Sequence, residues 1–165
     1  VAGTGRDGYA GDGGPATEAD LYWPSALELT PEGELLIADT RNHAVRVLRS
    51  DGTIETVAGT GVAGFAGDDG PATEAQLDEP YGLALADDGT LYIADRENFR
   101  VRRVSPDGTI DTIAGDGENG FTGDGVPALE ASFGHLGRLA LDEGQDALLL
   151  ADQSNSCARR IRLPD

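Results

Sequence analysis

The chain repeats itself every 56 residues, and this repeat limits its possible folds more than any other feature. The segment Val1–Gly5 (Val-Ala-Gly-Thr-Gly) returns unchanged as Val57–Gly61 and, with two substitutions, as Ile113–Gly117. Three copies of one supersecondary unit indicate a repeat architecture, because one unit alone cannot bury its apolar faces and needs neighbours to cover them.

The second copy predicts a sheet of four short strands. Its extended segments are Gly82–Leu85, Leu91–Asp95, Phe99–Val104 and Thr109–Ala114, separated by polar turns, two of which contain Asp-Gly. Such turns suit hairpins, since Gly takes positive φ without steric cost and Asp can bond its own turn backbone. We therefore expect an antiparallel meander of four strands in each repeat.

A long Gly-rich linker leads from each fourth strand to the next first strand. In the third repeat it runs from Gly115 to about Phe133, and Pro127 precedes a segment that could form one helical turn. The linker predicts a loop with a short 3₁₀ or α turn rather than a true helix. In a radial arrangement, linkers and second-to-third turns share one face, the linker face, and the remaining hairpins form the opposite hairpin face.

The residues also resemble a known repeat. Pro80–Val104 resembles an NHL repeat, and Gly64–Ala75 resembles the linkers of long-linker NHL arrays in bacterial and cell-surface proteins. The third copy departs most, with Leu136, Arg138 and Ala158 at positions that differ from the other two. The resemblance implies an all-β fold: a β-propeller segment 1–165 with three four-stranded antiparallel blades. The predicted blades cover residues 24–59, 80–115 and 136–165.

Three blades do not close a ring, since propellers generally need four to eight. The resemblance implies six blades, so this chain is expected to be half of a ring. Its neighbours would come from a second copy, as a homodimer, or from the rest of a longer array. The last outer strand is incomplete, and residues 1–3 of a neighbouring chain could complete it.

The net charge and the hydropathy of the chain limit the classes of partner that it can bind. Thirty acidic and twelve basic residues give a net charge of −18, which disfavours nucleic acid because such a surface repels phosphates. No apolar run approaches a membrane span, so no membrane insertion is expected. Cys157 is the only cysteine, so it leaves the redox compartment open. The sequence leaves the localisation open, and the resemblance favours a secreted or bacterial cell-surface protein.

Some polar residues recur in every blade and are interpreted as structural. We expect the Asp to accept backbone N–H bonds in its turn, the Asn to take a left-handed conformation and the Arg to pair between blades. Binding of an anionic ligand is the alternative for the Arg. The residues are Asp39, Asp95 and Asp152; Asn42, Asn98 and Asn155; and Arg46, Arg102 and Arg159.

Acidic residues in the linkers raise the question of calcium. Asp12, Asp68 and Asp124 lie in Gly-rich loops, which can supply oxygen ligands. No linker has the Asp-x-Asp-x-Asp spacing of a dedicated loop, so we expect these Asp to cap the short helical turns. No cofactor is predicted, and calcium in the linkers stays an alternative.

The sequence shows no catalytic constellation. Its two histidines, His43 and His135, lie at non-equivalent positions, and no nucleophile elbow, metal cluster or phosphate loop is present. We predict no catalytic residue and no metal site, and expect a non-enzymatic scaffold or binding module. The alternative is a metal-dependent hydrolase or lyase with its site at the channel mouth.

Residues that differ between blades on the linker face are the candidate ligand-binding set, because an asymmetric site cannot be built from identical positions. They combine aromatic, acidic and basic side chains, which suits a protein or small-molecule pocket. The near-uniform acidic turns of the hairpin face are expected to discriminate little. The candidates are Trp23, Ser25, Arg41, His43, Glu79, Tyr81, His135 and Arg138.

Overall fold

A computed structural model describes residues 2–122 and 125–163 and confirms the all-β class. The strands form three antiparallel sheets, one for each repeat, which we call the first, second and third blades. The first blade contains β1 (Pro24–Leu29), β2 (Leu35–Asp39), β3 (Ala44–Leu48) and β4 (Ile54–Ala58), in that order across the sheet.

The second blade gains a short fifth strand from its linker. The strands are β5 (Gly70–Pro71), β6 (Pro80–Leu85), β7 (Leu91–Asp95), β8 (Arg100–Val104) and β9 (Thr109–Ala114). β5 pairs with β9, so the linker runs along the outer edge of the blade before it crosses to β6. Phe99, which the sequence placed in the third strand, instead has a φ of 52° and lies in the preceding turn.

The third blade comprises β10 (Leu136–Leu141), β11 (Ala147–Asp152) and β12 (Cys157–Arg162). Counted from the last paired residues, Leu141 and Leu148, its hairpin between β10 and β11 is one residue longer than in the other blades. This hairpin contains Gln145 with a φ of 55°. Val1 lies outside the described residues, so completion of a sheet by residues 1–3 of a neighbour stays a prediction.

Apolar side chains fill the two spaces between consecutive blades. Leu36 and Val45 of the first blade pack in one cluster with Leu83 and Ile93 of the second. A second cluster joins the second and third blades in the same way. These layers hold the blades together because strand residues alternate between the two faces of each sheet.

The outer face of the first blade is only partly covered. Ile37 and Ile54 are buried under the linker segment that contains Ala16 and Ala19. Nearer the inner strand, Leu27 and Leu29 on β1 remain 60% and 65% exposed.

Each linker contains the predicted short turn. The turns are the 3₁₀ segments Ala16–Glu18, Ala72–Glu74 and Ala128–Glu130, each preceded by Pro. The expectation that linker Asp residues cap them is wrong for Asp12 and Asp68, which bond to Arg46 and Arg102 instead. Asp124 lies outside the described residues. Within the part of the chain that is described, no helix is long and apolar enough to cross a membrane.

Candidate functional site

A buried polar network behind the linker face fixes the start of each blade. In the first blade, Asp39 and Arg46 are both fully buried, and Arg46 Nη1 lies 3.4 Å from Asp39 Oδ2. Asn42 Nδ2 donates to the same oxygen at 2.8 Å. The backbone N–H of Tyr22 donates to Asp39 Oδ1 at 2.7 Å, which ties the segment before β1 to the end of β2.

The second blade repeats this network. Asp95 accepts hydrogen bonds from Asn98 at 2.8 Å and from Arg102 at 3.3 Å. The backbone N–H of Asp78 donates to Asp95 Oδ1 at 2.7 Å.

The third blade has the same arrangement around Asp152. Asn155 donates to its carboxylate at 2.8 Å and the backbone N–H of Gly134 donates at 3.0 Å. Arg159 Nη1 lies 3.6 Å from Asp152 Oδ2.

Two details of the expected turn chemistry are wrong. The Asp accepts its backbone bond from the segment before the first strand rather than from its own turn. The left-handed residue is the one after the Asn: His43, Phe99 and Ser156 have φ values of 51°, 52° and 55°. Their backbone turns the chain into the third strand and leaves the Asn side chain free to bond inward.

Arg46 and Arg102 pair within their own blade and its linker, so the expectation of inter-blade pairing is wrong for these two residues. Arg46 contacts Asp12 as well as Asp39, and Arg102 contacts Asp68 as well as Asp95. The linker Asp residues therefore serve as the second anion for a buried cation, which needs such partners in a low-dielectric interior.

Aromatic linker residues cover the arginines. The Tyr9 ring centroid lies 5.1 Å from the Arg46 guanidinium carbon, and the Phe65 ring lies 5.0 Å from that of Arg102. A guanidinium over an aromatic face is attracted by the ring quadrupole. The first and second linkers thus each contribute a carboxylate and a ring to one buried cation.

Burial raises the pKa of Asp95 to about 6, against the opposing effect of hydrogen bonds from the Asp78 backbone, Asn98 and Arg102. Burial likewise raises the pKa of Asp39. For Asp39 and Asp95, desolvation therefore destabilises the ionised carboxylate more than the hydrogen bonds and the arginine stabilise it.

In front of this network lies a cleft of about 620 Å³, which we call the mouth cleft. It lies where the starts of the inner strands meet the second-to-third turns. Its lining residues are Trp23, Pro24, Ser25, Thr40, Arg41, Glu79, Tyr81, Arg96, Glu97 and Gln153. The sequence selected Trp23, Ser25, Arg41, Glu79 and Tyr81.

Trp23 and Arg41 form one wall of the mouth cleft. The Arg41 guanidinium carbon lies 4.8 Å from the Trp23 ring centroid, and its Nη1 lies 2.7 Å from Glu79 Oε1. Trp23 remains 64% exposed, so Arg41 leaves most of the indole surface accessible to a ligand.

Three sequence candidates lie outside the lining. His43 stands behind Glu79, whose backbone N–H donates to His43 Nδ1 at 3.2 Å. His135 Nε2 lies 3.2 Å from the rim residue Glu97. Arg138 is exposed on β10. The structure therefore does not gather the eight candidates into one site.

Sequence reasoning missed half of the lining. Thr40, Arg96, Glu97 and Gln153 all lie in second-to-third turns, within two residues of the repeated Asp. The same criterion, variation between blades on the linker face, would have selected them had it been applied to every position of those turns. Pro24 was the other omission, and it stands beside Trp23.

Equivalent positions form contacts of opposite polarity at the two blade junctions. Arg41 of the first blade contacts Glu79 of the second, whereas Glu97 of the second contacts His135 of the third. Residues at equivalent positions therefore contact each other at both junctions, but the acidic and basic partners are exchanged.

The hairpin face is less uniform than the sequence indicated. A groove of about 650 Å³ opens there between the first and second blades. Across residues 2–122 and 125–163, no three His, Cys, Asp or Glu side chains are grouped so that they could hold a metal ion.

Known proteins share this repeat. The Teneurin NHL domain matches residues 50–105. Human Teneurin-4 is 36% identical over 102 residues, which cover 54% of this chain and 4% of that protein. Bovine NHL repeat-containing protein 2 is 28% identical over 165 residues, covering 89% of this chain and 23% of that protein. These matches support the resemblance of this chain to NHL-repeat proteins.

The fold is shared as well. The crystal structure of a protein of unknown function from Bacteroides thetaiotaomicron VPI-5482 superimposes with a TM-score of 0.73 at 23% identity, over 84% of this chain and 34% of that chain. The predicted NHL-type propeller fold is thereby confirmed. The chain spans a quarter or less of these curated relatives and about a third of the solved chain.

Proposed function

We propose that the chain is a non-enzymatic NHL-repeat binding module that presents the mouth cleft to a small-molecule or protein partner. One observation carries the proposal. Residues that differ between blades converge on the mouth cleft, while the residues behind it repeat in all three blades. A rigid scaffold with a variable rim is the arrangement that recognition sites use.

The lining favours a neutral, polar ligand with one apolar face. Arg41 is paired with Glu79, and Arg96 Nε lies 3.5 Å from Glu97, so the two cations and two anions balance. A charged ligand would have to displace one of these partners. The open surface of Trp23 suits an apolar face, as in a sugar ring, and its N–H can bond a hydroxyl.

Trp23 fluorescence tests the proposal directly, because Trp23 is the only tryptophan. A panel of sugars, peptides and small acids is titrated into the protein, and a saturable shift or quench identifies a ligand. Trp23→Ala should abolish binding, measured by calorimetry, with thermal stability unchanged. Tyr22→Ala is the matched control, because Tyr22 is exposed and adjacent but does not line the mouth cleft.

Two results would contradict the binding module. One is unfolding of Trp23→Ala without any ligand effect, which would make Trp23 structural. The other is a stoichiometric transition metal in the purified protein whose removal abolishes hydrolase or lyase turnover, which would establish the enzymatic alternative.

We also propose that the ring is completed by a second copy or by further blades of a longer array. Exposed Leu27 and Leu29 support this, since apolar strand residues at these positions in the second blade, Leu83 and Leu85, pack against a neighbour. Light scattering should show association that Leu27→Asp with Leu29→Asp weakens. A folded 17.1 kDa monomer at micromolar concentration would contradict closure by a second copy.

A further inference from the structure

The groove on the hairpin face has an apolar floor. Leu36 and Val47 contribute from the first blade, and Leu85, Leu91 and Val104 contribute from the second. Four of these five side chains are buried by the rest of the protein, so they form a fixed surface. The groove, at about 650 Å³, falls within the size range of small-molecule sites.

The rim of this groove is acidic. Its carboxylates are Glu32, Glu34, Asp87 and Asp88, and Arg49 is the one basic residue among those that line it. Arg49 is already paired, with its Nη1 2.8 Å from Glu34 Oε2 and its Nη2 3.1 Å from Glu55 Oε2. The rim therefore keeps an excess of negative charge, unlike the balanced mouth cleft.

Larger side chains occupy the same positions at the second junction. Tyr92 and Arg103 are the second-blade equivalents of Leu36 and Val47. Arg103 pairs with Asp111 at 2.8 Å, and Tyr92 is 7% exposed. Between the first and second blades the smaller pair Leu36 and Val47 lines the floor of the groove instead.

A hairpin contact also bridges the second junction. The backbone N–H of Asp87 in the second blade donates to Gln145 Oε1 in the third at 3.0 Å. Gln145 belongs to the hairpin that is one residue longer in the third blade. The first and second junctions therefore differ both in their side chains and in their hairpins.

We propose that the hairpin-face groove binds a small organic cation with an apolar body. The apolar floor would take the body, which gains the free energy of leaving water. The acidic rim would take the ammonium or guanidinium head, and the net charge of −18 would raise the local concentration of cations. This site is separate from the mouth cleft and does not depend on its function.

Two ligands with closely matched apolar bodies and opposite head charges test the role of the rim. 4-Phenylbutylamine carries an ammonium and 4-phenylbutyrate a carboxylate on a phenylalkyl body of nearly the same length, and both are titrated by calorimetry at low and physiological salt. The amine should bind at least tenfold tighter than the acid, and the difference should narrow as salt screens the rim. Equal affinities, or no binding of the amine, would overturn the proposal.

Variants locate the binding. Leu36→Tyr places the second-blade residue on the floor and should reduce amine affinity more than tenfold. Glu32→Gln with Asp87→Asn should reduce it roughly fivefold, since exposed charge pairs contribute little individually. Glu118→Gln with Glu130→Gln is the control for net charge, because both residues are exposed in the third linker, and it should leave affinity unchanged.

A measurement on the unmodified chain guards against misfolded variants. Amide chemical shifts are followed by NMR during titration with 4-phenylbutylamine. Shifts should concentrate at 30–36, 47–49 and 85–91 and spare Trp23 and Tyr81. Shifts confined to the mouth cleft, or equal loss of affinity in the charge control, would show that the groove is not the site.

Discussion

The buried Asp–Asn–Arg network and the mouth cleft lie one behind the other, yet they differ in how the repeat uses them. Asp39, Asp95 and Asp152 make the same bonds in each blade. The mouth cleft takes different residues from each blade, such as Thr40 and Arg96 at equivalent positions. The residues that repeat in every blade are those whose polar groups need hydrogen-bond partners because they are buried. The residues that differ between blades line the mouth cleft, where they can contact a partner.

The largest effect should come from breaking the network. Asp95→Ala leaves Arg102, which is fully buried, with one carboxylate fewer, and removing one partner of a buried ion pair costs about 3–5 kcal/mol. Urea unfolding measures the loss in free energy of unfolding. Asp111→Ala is the control, since Asp111 pairs with the partly exposed Arg103 and should cost about 1 kcal/mol or less. Similar losses in both variants would show that the network is not special.

A smaller effect should appear in the pH dependence. Asp95 has a pKa of about 6 in the folded protein and 3.8 as its reference value, so the folded state binds the proton more tightly. The free energy of unfolding should therefore fall as pH rises from about 4 through 6, by the contribution of this group. Asp95→Asn removes that contribution.

The measurement is the difference in unfolding free energy between the unmodified chain and Asp95→Asn at several pH values. The unmodified chain should lose stability relative to Asp95→Asn between pH 4 and 6.5, with no further change above. A difference that is constant with pH, or that grows in the opposite direction, would contradict a raised pKa for Asp95.

The smallest effect on stability should come from the mouth cleft. Exchanging the charges of Arg41 and Glu79, as Arg41→Glu with Glu79→Arg, keeps the pair and should change the free energy of unfolding by less than about 1 kcal/mol. The single variant Arg41→Glu should cost more than the exchange because it places like charges together. If the exchange destabilises the chain as much as Asp95→Ala does, the mouth cleft is part of the scaffold.

The sequence analysis predicted half of the residues that line the mouth cleft, and the position of each residue in the repeat explains which half. Trp23 and Glu79 stand at aligned positions before the first strand, where variation is easy to see. Arg96 and Gln153 follow the repeated Asp directly, within a motif that reads as structural. His135 satisfied the same criterion as Trp23, but its side chain turns to Glu97.

The sequence by itself determined the number of repeats, the blade strands apart from β5, their antiparallel pairing and the linker turns. These features are local: they depend on apolar alternation, on Asp-Gly turns and on Pro before a 3₁₀ turn, all of which act within a few residues. Because these features recur every 56 residues, the elements predicted from one copy could be compared with those predicted from the other two.

Only the tertiary structure decided which groups meet. Asp68 contacts Arg102, which is 34 residues away in the sequence, and Asp87 contacts Gln145, which is 58 residues away. These residues meet because blades and linkers pack side by side. The groove at the first junction depends on side-chain volumes from two blades at once. The repeat pattern of the sequence does not give this combined volume, because the space between two blades depends on how both of their faces pack together.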